Sequence, residues 1–75
     1  MDIHILTITR DNWDDFVSAY RSREGADKAL KEYVKKSFTA ELDEPCPDEI
    51  TDDVVLDYFE RAEEKHSIKK TFLND

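Results

Sequence analysis

DFVSAYR, residues 15–21, is the stretch whose reading decides the fold. With a period of two, Phe16 and Tyr20 share one face and Val17 and Ala19 the other, the pattern of a half-buried strand. With a helical period, Phe16, Val17 and Tyr20 join Trp13 on one stripe, and the segment competes for helix. The residues before it favour the strand. IHILTIT, residues 3–9, is rich in β-branched side chains and places Ile3 and Ile5 opposite Leu6 and Ile8. Arg10-Asp11-Asn12-Trp13-Asp14 between them supplies turn residues, so the two runs make an antiparallel hairpin.

After the hairpin, Ser22 is an N-cap for a helix reaching to about Phe38 or Ala40. Ala26, Ala29, Leu30, Tyr33, Val34 and Ser37 fall on one of its faces. Its outer face pairs Asp27 with Lys31, Lys28 with Glu32, and Glu32 with Lys36, all at i,i+4. The two prolines of LDEPCPDE, residues 42–49, impose an extended connection. Thr51 then caps a second helix predicted to run to about Lys65, with Asp52 and Asp53 placed where the helix dipole favours anions. Val55, Phe59 and Ala62 of that helix face the sheet. In HSIKKTFL, Ile68 and Phe72 fall at alternating positions of a last strand. The sum is one α+β domain over residues 1–75: a three-stranded antiparallel sheet packed against two helices, in the order β-β-α-α-β.

Composition narrows the function. A chain of 75 residues buries about 60 % of the surface its unfolded form exposes, enough for one thin core but not for an enclosed substrate cavity. MDIHILTITR has neither a basic start nor a long apolar run, so neither a signal peptide nor a membrane span is expected. The single cysteine, Cys46, cannot form an internal disulfide, which fits a reducing cytoplasm. A net charge of −8 argues against direct binding to nucleic acid or to an anionic membrane.

That charge is not evenly spread. AELDEPCPDEITDDVVLDYFE, residues 40–60, holds nine of the nineteen acids and no Lys or Arg. Calcium would need oxygen ligands at alternating positions around a glycine turn, and no glycine lies in 26–75. Two histidines and one thiol cannot assemble a zinc quartet. Cys46 sits among carboxylates, which disfavour a thiolate nucleophile, and a loop cysteine without a role is the plainer reading. No catalytic motif is present, so the chain is not expected to be an enzyme or to need a cofactor or metal.

The second helix carries the sharper signal. Asp53, Asp57, Glu60 and Glu64 lie at i, i+4, i+7 and i+11, opposite its apolar stripe, and Asp43, Glu44, Asp48, Glu49 and Asp52 extend the row. Surface helices have polar outer faces as a rule, and acids also serve solubility. Here, however, acid is stacked on acid, at a cost of about 0.2–0.5 kcal/mol per like-charge i,i+4 pair. Carboxylates about 4.5–6 Å apart along the axis approximate the spacing of phosphates on a strand. Such a row suits a basic groove built for DNA or RNA, so the expected partner is a basic nucleic-acid-binding protein or complex.

EGADKALKEYVKKSF, residues 24–38, followed by DDVVLDYFER and HSIKK, resembles small acidic accessory proteins encoded by bacteriophages and plasmids. Some anti-CRISPR inhibitors share the element order β-β-α-α-β. The resemblance implies a non-enzymatic inhibitor that blocks the DNA-binding groove of a CRISPR complex by nucleic-acid mimicry. The matching residues are packing residues rather than a site. An alternative from a different class also stands: a protein-interaction module or homodimer using Trp13 with Tyr20 or Phe72 as an apolar patch.

Overall fold

The computed structural model describes residues 2–10 and 14–72. The elements are β1 (Asp2–Thr9), β2 (Phe16–Tyr20), α1 (Arg23–Leu42), α2 (Asp52–Ala62) and β3 (Lys65–Phe72). The fold is α+β in the order β-β-α-α-β, as the sequence implies. β1 lies in the middle of a sheet ordered β2-β1-β3 and runs antiparallel to both neighbours.

The strand reading of DFVSAYR holds, trimmed by one residue at each end. Ile8 pairs with Phe16, Leu6 with Ser18 and His4 with Tyr20, so Phe16 and Tyr20 share the helix-facing side with Leu6 and Ile8. Val17 points to the open face and is 61 % exposed. Helical spacing loses because Ser22 is extended (φ −136°, ψ 155°) and its side chain accepts the Gly25 N–H, which starts α1 just after the strand. Residues 11–13 of the turn, Trp13 included, lie outside the described residues. The Arg10 guanidinium donates to the Asp14 carbonyl at 2.6 Å.

Leu6 and Ile8 have no exposed surface, and α1 brings Ala26, Leu30, Val34 and Phe38 down on them at every fourth residue. The sequence reading gave Ser37 to this inner face. Ser37 is only half-buried, and Phe38 takes the core position beside Tyr58, with 6.3 Å between ring centres. From α2 come Val55 and Phe59, as expected, and also Tyr58, which is fully buried. Each large aliphatic side chain so buried contributes about 1.5–3 kcal/mol, against the entropy of ordering the chain.

Both helices end where the sequence gives no glycine to mark it. α1 runs on to Leu42, past the expected stop at Phe38 or Ala40, and Glu41 is therefore helical. Asp43 closes α1 in the left-handed region at φ 54° with its N–H on the Thr39 carbonyl. α2 stops at Ala62, three residues short of the expected Lys65, because Glu63 turns left-handed at φ 57°. The next N–H, of Glu64, reaches back to the Phe59 carbonyl at 3.1 Å, the six-to-one bond that reverses a chain at a helix end. That reversal launches β3 and determines where the Glu64 side chain goes.

Candidate partner-binding face

The connection between the helices is fixed from inside. Leu42, Cys46 and Ile50 are half-buried and pack against the core at every fourth residue. Cys46 thus has a packing role that a free loop cysteine would not, and its thiol lies 3.5 Å from the Pro47 carbonyl. With those three facing inward, Asp43, Glu44, Asp48 and Glu49 are all exposed. They lead directly into the Thr51 cap, whose hydroxyl accepts the Val54 N–H at 3.3 Å.

On α2 itself, Asp52, Asp53, Asp57 and Glu60 are exposed. The buried Val55, Tyr58 and Phe59 set the inward direction, and at 100° per residue Asp53, Asp57 and Glu60 centre on the outward one. Eight of the nine expected residues are thus exposed, Asp43, Glu44, Asp48, Glu49, Asp52, Asp53, Asp57 and Glu60, and of these Asp53, Asp57 and Glu60 share the outward face of α2.

Glu64 does not belong to the row. It lies beyond the end of α2 and is half-buried, because the left-handed Glu63 breaks the helical register that would carry it outward. Its carboxylate accepts the Tyr33 hydroxyl at 2.9 Å and the Tyr58 hydroxyl at 3.1 Å. Burial, reinforced by this bond to Glu64, raises the Tyr33 pKa above its ordinary value. Tyr58 is pushed up further, chiefly by burial, with the negative fields of Tyr33 and Glu64 adding to it. The pair sits in an aromatic cluster: Tyr58 meets Phe59 edge to face at 5.0 Å, and Tyr33 stacks on Phe59 at 6.1 Å. Glu64 is a bolt between α1, α2 and the start of β3.

Arg61 also changes the picture. It bridges the loop and the helix, paired with Glu44 and 3.3 Å from Asp57. Its hydrogen bond holds the Glu44 carboxyl below the usual carboxylate range, and Glu44 and Asp57 in turn raise the Arg61 pKa. On α1, Arg23 pairs with Asp27 at 3.5 Å, while Lys31 crosses to Asp52 at 3.6 Å. Solvent screens exposed pairs of this kind, so they add little to the stability of the fold. Among the described residues, Asp43, Asp48, Glu49, Asp53 and Glu60 are in no ion pair.

The aromatic alternative turns on Trp13, which lies outside the described residues. Tyr20 is half-buried and packs against the core, whereas Phe72, 64 % exposed, lies on β3, the strand at the opposite edge of the sheet. Among the described residues no group of three His, Cys, Asp or Glu side chains is placed to hold a metal ion. No helix among them is long and apolar enough to cross a membrane. No family model, curated protein or solved structure matches this chain.

Proposed function

We propose that this protein is a non-enzymatic, phage-type inhibitor or modulator. Its acidic face occupies a basic nucleic-acid-binding surface of a bacterial host protein, such as a CRISPR complex, in the host cytoplasm. The observation that supports this reading is what remains of the face once folding has used its share of the charges. Asp52 and Asp53 favour the N-terminus of α2 by about 0.3–1 kcal/mol each, Asp57 and Glu44 share Arg61, and Asp43 caps α1. Asp48, Glu49 and Glu60 have no such local task, yet all are exposed and unpaired by any cation among the described residues.

Charge of one sign on one side speeds encounter with a basic surface and makes binding fall with salt. The test is capture from native bacterial host lysate by wild type and by the Asp53→Asn/Asp57→Asn/Glu60→Gln variant, each washed at low and high salt. Circular dichroism confirms that the variant is folded. Glu64 is left intact because its carboxylate holds two tyrosines. Capture of a nucleic-acid-binding protein by wild type, lost in the variant and at high salt, supports the proposal. Equal capture by both baits, or none by either, overturns it.

A further inference from the structure

Beside the acidic face lies an open groove of about 370 Å³ between the N-terminal halves of α1 and α2 and the strand β3. Its apolar lining is Leu30, Val55, Leu56 and Ile68. Leu56 is the unusual member: it is 60 % exposed, on a helix whose other exposed residues are all charged. On the helix surface it is flanked by Asp52 and Asp53 one turn before and by Glu60 one turn after. Burial does not account for it, and an isolated leucine among acids contributes nothing to solubility.

The two walls of the groove differ in charge. The α2 wall carries Asp52 and continues, outside the groove, into Asp53, Asp57 and Glu60, whereas the α1 wall carries Arg23 and Lys31 with the single carboxylate of Asp27 between them. Lys31 reaches across to Asp52 and Arg23 is held by Asp27, so the rim cations stay on the α1 side. A volume near the lower end of the about 300–1,000 Å³ typical of small-molecule pockets, open along one side, seats side chains better than it encloses a ligand.

Resting on the acidic-face reading above, we infer that the groove receives an amphipathic basic segment of the partner protein. One or two of its branched aliphatic side chains sit against Leu30, Val55, Leu56 and Ile68, and its lysines or arginines lie along the α2 side. The charge asymmetry favours this orientation, because a basic flank laid along α1 would meet Arg23 and Lys31 against Asp27 alone. Apolar anchors inside a charged rim are where interface energy concentrates, so Leu56 contributes affinity and the carboxylates contribute encounter rate and register.

Two synthetic peptides test this against the ¹⁵N-labelled domain by NMR titration. One has lysines along one flank and leucines at helical spacing; the other has the same length and charge with glutamine in place of leucine. The expected result is binding about tenfold tighter per leucine seated, with shifts at Leu30, Val55, Leu56 and Ile68. Leu56→Ala, an exposed change that leaves the core intact, should lower the leucine peptide's affinity toward that of the glutamine peptide. Equal affinities with shifts confined to Asp53, Asp57 and Glu60 overturn the groove and leave the acidic-face reading standing. Leucine-dependent binding elsewhere, as on the open sheet face around Val17, also overturns the groove. If neither peptide binds, both readings fail.

Discussion

The two helices solve the same packing problem with opposite surfaces. α1 spreads four buried side chains over twenty residues and carries mixed charge outside, with Arg23 on Asp27. α2 buries Val55, Tyr58 and Phe59 within eleven residues and faces solvent with Asp52, Asp53, Asp57 and Glu60. A helix with so dense an inner stripe needs little from its outer one. The contrast teaches that α2 is anchored by its aromatics, which leaves its outer face available for a partner.

The largest effect should come from the anchor. Phe59→Ala removes the ring that meets Tyr58, Tyr33 and His66 and should cost about 3–5 kcal/mol. That is a large part of the about 5–15 kcal/mol that holds a domain folded. Urea denaturation measures it, and a loss below 1 kcal/mol would break the contrast between inner and outer stripe.

Glu64 and Glu60 sharpen the comparison, being the same residue type one helical turn apart in sequence. Glu64→Leu leaves the Tyr33 and Tyr58 hydroxyls without their acceptor and should cost about 1–3 kcal/mol. Glu64→Gln keeps an acceptor oxygen and should cost less. In the other direction, Glu60→Lys places a cation beside Asp57 and near the helix C-terminus, and should stabilise by about 0.3–1 kcal/mol. Thermal denaturation of the three variants orders them. Destabilisation by Glu60→Lys equal to that by Glu64→Leu would mean that the outer face serves the fold.

pH gives a smaller and separable signal. Folding raises the Tyr33 and Tyr58 pKa values, so the unfolded chain ionises first as pH rises. Their contribution is complete below the ordinary tyrosine value of about 10 and declines above it. His66 is shifted the other way: burial lowers its pKa, so its contribution is complete above about 6.5 and declines as pH falls through the folded-state value. Stability should therefore sag at both ends, and Tyr33→Phe should lessen the alkaline decline. An alkaline limb unchanged in that variant would remove Tyr33 from the account.

What could be read from the sequence was whatever local spacing controls. Alternation in IHILTIT and DFVSAYR, and the caps Ser22 and Thr51, carry through to the strands and helix starts observed. Helix ends were not legible, because Asp43 and Glu63 adopt the left-handed turn usually signalled by glycine. From the missed stop at Ala62 follows the misplacement of Glu64, since one left-handed residue takes it out of helical phase. Four of the exposed candidate acids needed only the rule that residues between the apolar anchors Leu42, Cys46 and Ile50 point outward, and the four on α2 only helical periodicity. Arg61 bridging to Glu44 and the groove beside Leu56 depend on how the two helices meet, which no local pattern encodes.

Capture from native host lysate by three baits, wild type, Asp53→Asn/Asp57→Asn/Glu60→Gln and Glu64→Gln, separates the working face from the folding one most directly. The account predicts that the triple variant loses a basic nucleic-acid-binding partner while Glu64→Gln retains it, and that high salt removes it from both wild type and Glu64→Gln. Retention of that partner by the triple variant at the level of wild type would contradict it.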